Sequence, residues 1–289
     1  MICIQIWAVI KTRNLIYDKL VNYMIRSKLD LVKNSLQNFY TELKSNSSPS
    51  DFEIKEAGEV LQKILLQNSF NAEEQRELAL FMRINDMLPL FQRVFEKFET
   101  NVEAEFSRSL INNSTNVKKT LMNEYSTYSR YVISLKNEIT LAKINSKDNV
   151  LFVGSGPFPI TAILIHELTH AHVDCVEKNM TSASLSNKVI AFLGYRNSIR
   201  VINKDAMHIN YARYTMIVFA ILAKPLDKLL EIMWYQITPG TRIIYRSAKM
   251  IREAFYENTE QNISQTFNEY KKGKIGSKRT ISSILLVKD

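Results

Sequence analysis

Two glycines that follow a short apolar run are the residues of this chain best suited to a ligand-binding turn. Val150–Val153 has the composition of a buried strand and is followed by Gly154, Ser155, Gly156 and Pro157. Glycine lets the backbone turn sharply and approach a ligand without a Cβ in the way. In doubly wound sheets, a turn of this kind between a strand and a helix binds nucleotide-type ligands. The sequence therefore predicts such a ligand at this turn.

Two acidic residues stand where the neighbouring strands of such a sheet would end. Ala171–Val176 reads as a second strand, and Glu177 follows it about 20 residues beyond the glycines. A carboxylate there can accept hydrogen bonds from both ribose hydroxyls of an adenosine. The third predicted strand, Ile199–Asn203, ends near Asp205, which is placed to reach the adenine edge. We include Ala206, beside Asp205, among the expected ligand contacts.

The rest of this half of the chain alternates strands with helices. Further strands are predicted over Thr215–Ala220, Thr241–Tyr245 and Ser282–Val287, and helices over Pro157–Thr169, Ser182–Phe192, Leu226–Trp234 and Lys249–Phe255. This alternation favours a mostly parallel α/β sheet of Rossmann-like type, and the segment around Lys271–Arg279 indicates an antiparallel hairpin at its edge. Ala220, at the end of the fourth predicted strand, joins the candidate ligand contacts.

The first half of the chain contains only helical patterns. Ser50 with Glu53, and Asn71 with Glu74, have the spacing of capping boxes that open helices. Asp86, followed by a proline in the first turn, predicts the start of another helix. Loops are predicted over Lys44–Ser50 and Asn112–Asn116. The expected organisation is an all-helical N-terminal cap domain, 1–146, followed by a Rossmann-like domain, 147–289.

Composition limits the partners of the protein. The formal net charge is +9, but Lys and Arg are scattered, and we interpret the dense cluster within Lys271–Arg279 as a solvated hairpin, so no nucleic acid is expected. Cys3 and Cys175 cannot form a disulfide framework, which favours a reducing cytoplasm. The apolar segment Met1–Ile10 is too short to span a bilayer, so no membrane partner is expected.

A second motif points to different chemistry. The run His166-Glu167-Leu168-Thr169-His170 matches HExxH, the zinc-protease signature, in which two histidines bind the metal and the glutamate activates water. The context disfavours this interpretation, because the helix must end near Thr169 if a strand begins at residue 171. Histidine near a helix C-terminus also interacts favourably with the helix dipole. We therefore expect no metal and keep a zinc metallopeptidase as a minor alternative.

Five segments resemble a known family. They are Tyr128–Glu138 (YSRYVISLKNE), Val150–Leu164 (VLFVGSGPFPITAIL), Val176–Asn179, Val218–Pro225 (VFAILAKP) and Thr241–Ala248 (TRIIYRSA). Together they are similar to the nicotianamine synthase family, in which a GSGPxPxT turn follows a tyrosine-rich helix. The resemblance covers roughly residues 100–260, and the archaeal and bacterial short forms are more similar than the plant forms.

The resemblance implies a transferase that uses S-adenosylmethionine in an unusual way. An amine attacks the Cγ of its aminobutyl (3-amino-3-carboxypropyl) arm, and methylthioadenosine leaves. S-adenosylmethionine is then a substrate, no metal is required, and the partners are small molecules. Plant members join three such units into nicotianamine, archaeal relatives start from glutamate, and bacterial relatives transfer one unit onto histidine to begin opine-type metallophores. The acceptor, the number of units and the oligomeric state stay open, with a homodimer among the options.

The resemblance also implies catalytic residues. Tyr131 and a glutamate at the end of the preceding helix would lie over the reacting centre, and the segment VEAE offers Glu103 and Glu105. The family's Glu-x-Glu pattern favours Glu103 if the Asn112–Asn116 loop carries a small insertion, whereas ungapped counting favours Glu105. A base is needed because an α-amino group is protonated at neutral pH and must lose a proton before it attacks.

The chain departs from the family at two places. Asn179 stands where the family often has a second acid, which leaves the ribose contact to Glu177 alone, and the HELTH run is not a family feature. An ordinary methyltransferase would share the glycine turn, Glu177 and Asp205, and is the main alternative. It would release S-adenosylhomocysteine instead of methylthioadenosine.

Overall fold

The computed structural model of this 289-residue chain describes residues 28–113, 128–259, 273–275 and 281–288. Met1–Ile10 and Cys3 lie outside the described residues, as does most of the basic segment Lys271–Arg279. Within the described part of the chain, no helix is long and apolar enough to cross a membrane.

Seven strands form one sheet in the order β3-β2-β1-β4-β5-β7-β6. They are β1 (Asn149–Val153), β2 (His172–Glu177), β3 (Ile199–Asn203), β4 (Met216–Phe219), β5 (Arg242–Ala248), β6 (Gly273–Ile275) and β7 (Ile281–Val287). Neighbours among β1 to β5 pair in parallel, and β7 pairs antiparallel with both β5 and β6. The predicted Rossmann-like sheet with an antiparallel edge is confirmed.

Both faces of the sheet are covered, because alternate residues of each strand enter different apolar clusters. Phe152 of β1 belongs to one cluster, and its neighbours Leu151 and Val153 belong to the other. The helices of this half are α5 (Tyr128–Ala142), α6 (Ile160–Thr169), α7 (Met180–Phe192) and α8 (Leu226–Trp234). The first three pack on the Phe152 face, and α8 packs on the other.

The N-terminal half is built from four helices in the described residues. They are α1 (28–45), α2 (Asp51–Leu66), α3 (Ala72–Ile84) and α4 (Leu88–Asn113). The capping boxes predicted at Ser50 with Glu53, and at Asn71 with Glu74, are both present. α2 packs against α4 at Gly58, where an added Cβ would lie 2.2 Å from Cγ of Phe98. This close approach lets the two helices share one apolar core.

The core of the helical half extends into the segment that follows β5. Phe255 and Tyr256 are buried in the same apolar cluster as the inward-facing residues of α1 to α4. Polar contacts join the same elements: Arg83 of α3 donates to both carboxylate oxygens of Glu253, and Gln92 of α4 donates to the Glu253 carbonyl at 2.7 Å. The two halves therefore bury apolar surface against each other. The boundary between residues 146 and 147 stays a prediction.

The prediction that α6 begins at Pro157 is wrong. The helix begins at Ile160, with Pro159 as its N-cap residue and Pro157 in the preceding bend. The amide of Ile160 bonds to the carbonyl of Phe158, which tightens the entry into the helix. The prolines therefore shape the approach to the helix instead of its first turn.

At three other places the structure has a different element from the one that the sequence predicts. Asp86 does not start α4 but ends α3, since it has φ 52° and the next amide bonds back to the carbonyl of Met82, as in a Schellman-type C-cap. The predicted helix Lys249–Phe255 is the short 3-10 helix Met250–Ala254. Of the predicted loop Asn112–Asn116, the first two residues belong to α4 and the others lie outside the described residues.

Candidate active site

A cavity of about 280 Å³ lies at the carboxyl ends of the parallel strands, beneath α4. Nearly all the residues expected to form the site line it, namely Glu103, Tyr131, Gly154, Ser155, Gly156, Glu177, Asp205, Ala206 and Ala220. Pro157 is not among its lining residues. The carboxyl edge of a parallel sheet is where open α/β folds bind ligands, so the location suits a nucleotide-type substrate.

The glycine turn has the left-handed conformation that glycine favours, with φ 81° at Gly154 and 63° at Gly156. The reason each glycine is needed differs from the sequence prediction. A Cβ on Gly154 would lie 3.3 Å from that of Ala220, and one on Gly156 would lie 2.7 Å from Oε2 of Glu103. The missing side chains thus make room for protein groups, and at Gly156 the group is the candidate base.

Glu177 is held by two backbone amides. Its Oε2 accepts from the amide of Gly156 at 3.0 Å, and its Oε1 accepts from the amide of Asn179 at 2.8 Å. A carboxylate oxygen can accept more than one hydrogen bond, so both oxygens keep capacity for ribose hydroxyls. The Asn179 side chain accepts from the amide of Ser182 at 2.9 Å and caps α7. Asn179, which stands where the family often has an acid, therefore serves as the N-cap of α7.

Two other lining residues, Asp205 and Ser155, differ in whether the protein supplies hydrogen-bond partners for their side chains. Asp205 accepts from the amide of Met207 at 2.9 Å, which fixes its carboxylate at the end of β3. Ser155 is only 4% exposed, and its Oγ has no hydrogen-bond partner among the described residues. A buried hydroxyl without a partner is unusual in a native protein. A ligand atom in the cavity would satisfy it.

The two candidate base residues have opposite environments. Glu103 is partly buried in the cavity, whereas the side chain of Glu105 is 58% exposed and pairs with Lys55 at 3.2 Å. Burial, followed by the nearby carboxylates of Glu99 and Glu177, raises the pKa of Glu103 well above its ordinary value. A hydrogen bond from the backbone amide of residue 158 opposes this shift. A glutamate with a raised pKa holds a proton more readily and suits general base catalysis near neutral pH.

Sequence reasoning missed several polar groups around the cavity. Glu99 lines it four residues before Glu103, a spacing that places both side chains on one face of α4 and would have revealed it. Its Oε1 accepts from the hydroxyl of Tyr256 at 2.6 Å. Burial, then the Glu99 charge, raises the pKa of Tyr256 well above its ordinary value, so this phenol stays protonated.

Arg246 is a second missed residue, although it lies in the TRIIYRSA segment. Its Nε and Nη2 donate to the two oxygens of Glu138 on α5, each at 2.8 Å. Ser283 of β7 also donates to Glu138, at 2.6 Å. Burial alone would lower the pKa of Arg246, but the Glu138 carboxylate outweighs it and the net shift is upward. This buried pair joins α5, which carries Tyr131, to the sheet.

The HELTH run lies at the end of α6 and does not line the cavity. Nδ1 of His166 contacts the carbonyl oxygen of Ala171 at 2.9 Å, and Tyr195 donates to Oε1 of Glu167 at 2.6 Å. His170 is the C-cap residue, with φ 60°. No group of three or more His, Cys, Asp and Glu side chains that could hold a metal ion occurs among the described residues.

Comparison with known proteins decides the family. The family model described as nicotianamine synthase protein matches residues 28–288. The chain belongs to the nicotianamine synthase family. The resemblance seen in the sequence segments is thereby confirmed. No curated protein matches the sequence.

Solved structures from the nicotianamine synthase MtNAS share this fold. The crystal structure of MtNAS in complex with MTA and tNA has a TM-score of 0.74 and 24% identity, over 90% of this chain and 97% of that chain. A glutamate-to-glutamine mutant of MtNAS in complex with S-adenosylmethionine has a TM-score of 0.72 and 23% identity, over 89% of this chain and 97% of that chain. At this level of sequence identity, the match shows that the two proteins share a fold.

Proposed function

We propose that this nicotianamine synthase family member transfers the 3-amino-3-carboxypropyl group of S-adenosylmethionine onto an amine. Methylthioadenosine is the second product, and the extended amine is a precursor or form of a nicotianamine- or opine-type metal chelator. The observation that carries the proposal is the position of Glu103, whose carboxylate reaches the glycine turn inside the cavity that Glu177 also lines. A base beside the donor site is what the attack of a protonated amine on Cγ requires.

The cavity supports one orientation of the donor substrate. Glu177, held by two amides at the end of β2, would accept from the ribose hydroxyls, and Asp205 would reach the adenine edge. Ala206 and Ala220 would form the apolar walls of the part of the cavity that holds the adenosine. The sulfonium and its aminobutyl arm would then extend from the glycine turn towards α4, where carboxylates attract the positive charge.

The chemistry requires one deprotonation in each transfer. Glu103 takes a proton from the acceptor ammonium, and the freed amine attacks Cγ of the donor. The new N–C bond forms as the C–S bond breaks, and the electron pair of that bond neutralises the sulfonium as methylthioadenosine leaves. A sulfonium activates all three of its carbons, so the enzyme selects the product by holding Cγ in line with the amine at about 3–3.5 Å. Tyr131, beside the same cavity, would orient the amine.

The identity of the released nucleoside tests the proposal. We would incubate the protein with S-adenosylmethionine and candidate acceptors, namely glutamate, histidine and S-adenosylmethionine alone, and analyse the products by mass spectrometry. The proposal predicts methylthioadenosine together with an amine extended by one or more aminobutyl units. S-adenosylhomocysteine with a methylated acceptor would show the methyltransferase alternative to be right. Glu103→Gln is the control for methylthioadenosine formed by slow spontaneous breakdown of the donor.

Two further expectations accompany the proposal. We expect no metal in the reaction, so incubation with a chelator should leave methylthioadenosine release unchanged. We also place the enzyme in the cytoplasm, because the chain has only two cysteines and Cys175 is a free thiol, so it has no disulfide framework.

A further inference from the structure

α4 rests on the glycine turn through three side chains that share one face of the helix. Oε2 of Glu103 lies at Gly156, 2.7 Å from the position that a Cβ on this glycine would take. The rings of Phe106 and Phe158 meet edge to face, with centroids 4.9 Å apart. The hydroxyl of Ser107, which is 0% exposed, donates to the carbonyl of Pro157 at 3.0 Å. The contacts therefore fall on consecutive residues of the turn and within about one turn of the helix.

The carbonyl of Pro157, which accepts from Ser107, accepts no backbone hydrogen bond at the start of α6. The first hydrogen bonds there run from Ile160 to the Phe158 carbonyl and from Ile163 to the Pro159 carbonyl. Ser107 donates to the remaining carbonyl from outside the helix, in a buried position. A buried acceptor that loses its donor is costly, so this bond resists any lifting of α4 from the turn.

We propose that Ser107 is a positioning residue that holds Glu103 against the glycine turn, an inference that rests on the proposed function. Glu103 and Ser107 are four residues apart, so their side chains lie one above the other on the same helix face. The Ser107 bond limits both sliding and rotation of this face relative to the turn. Glu103 thereby stays next to Gly156, where its carboxylate can meet an amine approaching the donor.

Ser107→Ala is the variant that tests this role. Because a displacement of about 1 Å can cost roughly 10²-fold in rate, we expect kcat to fall by about tenfold or more. The KM for S-adenosylmethionine and its calorimetric Kd should change less than about twofold, since Glu177 and Asp205 are untouched. Ser186→Ala is the matched control. Ser186 is equally buried, but its Oγ has no partner among the described residues, so the change leaves no acceptor unsatisfied.

Three results would overturn the proposal. They are an unchanged kcat in Ser107→Ala, a loss shared equally between kcat and donor affinity, and an equal loss in Ser186→Ala. If the wild-type protein releases no methylthioadenosine with any acceptor, the proposed function fails, and the positioning role is judged separately by NMR titration of the Glu103 carboxyl. Ser107→Ala should then lower the pKa of Glu103, because water admitted beside a loosened helix relieves the burial that raises it. A titration identical to that of wild type would refute the role.

Discussion

Glu103 and Glu105 are separated by a single residue on α4, yet only Glu103 lines the cavity. Two residues along a helix turn the side chain by about 200°, so the two carboxylates project from nearly opposite sides. The resemblance to the family narrowed the candidate base to this pair, but the choice between the two depended on whether an insertion follows the helix. The helix face that packs on the glycine turn contains Phe106 and Ser107, and this packing, which no local pattern reports, orients Glu103 inwards.

Glu103→Gln should bind S-adenosylmethionine normally and lose roughly 10²–10⁴-fold in turnover, the usual contribution of a positioned base. The amide keeps the shape of the side chain but cannot take the proton. Calorimetry measures the binding, and methylthioadenosine release measures the turnover. Glu105→Gln is the matched control and should remain fully active, because Glu105 only pairs with Lys55 on the exterior. Full activity of Glu103→Gln would place the base elsewhere.

Glu177→Ala should weaken S-adenosylmethionine binding by about 1–3 kcal/mol, the range for hydrogen bonds to a charged group. The substitution removes the ribose acceptor and also frees the amides of Gly156 and Asn179 that the carboxylate now holds. Calorimetric titration gives the change in Kd. Glu167→Ala removes an exposed carboxylate outside the cavity and should have no effect. Equal Kd values for both variants and the wild type would show that Glu177 does not contact the ribose.

At the scale of secondary-structure elements, the correct sequence predictions depended on interactions between residues close together in the chain. Strands appeared as short apolar runs, and the capping boxes at Ser50 and Asn71 predicted helix starts correctly because each box satisfies its own helix end. The errors came from longer-range causes. Asp86 has the chemistry of an N-cap, but it is the left-handed residue that follows Asn85, the C-cap of the preceding helix. Pro157 fits a first helical turn, but its carbonyl is bonded to α4 instead.

Gly58→Ala should destabilise the protein by about 1–3 kcal/mol, as expected for overpacking in a core. Alanine is intrinsically the better helix former by about 1 kcal/mol, but its Cβ would lie 2.2 Å from the Phe98 ring, closer than two carbons can approach. Thermal unfolding measures the change. Combining it with Phe98→Ala, which removes the Cγ and Cδ atoms that clash, should cost less than the sum of the two single changes. A higher melting temperature in the single variant would mean that α2 and α4 separate easily.

At the scale of the whole molecule, the site is built at a cost in stability. Glu103 keeps a carboxylate in a partly buried position near two others, and each of these factors disfavours its charged form. The apolar core that α1 to α4 share with the segment after β5 holds the helical half against the sheet despite this repulsion. Active sites commonly carry such unfavourable groups, and the surrounding structure compensates for them.

The stability cost of Glu103 should depend on pH. Below the pKa of an ordinary glutamate, Glu103 is protonated in both the folded and the unfolded chain and has no effect. As pH rises, the unfolded chain ionises first because the folded pKa is raised, so ionisation favours unfolding until the pH exceeds the folded value. The difference in melting temperature between Glu103→Gln and wild type should therefore grow in favour of the variant from about pH 4.5 upwards. A constant difference from pH 4 to pH 8 would contradict the raised pKa.

The space above Gly156 has a consequence for how this chain can vary over evolutionary time. Any side chain at position 156 would meet the Glu103 carboxylate and would also have to adopt φ 63°. A larger residue there displaces the Glu103 carboxylate, which is the flexible end of its side chain, and strains the backbone whatever residue stands at position 103. The two positions, far apart in the chain, therefore form an epistatic pair. A library that randomises both positions together should yield active variants only where glycine at 156 and glutamate at 103 are both kept.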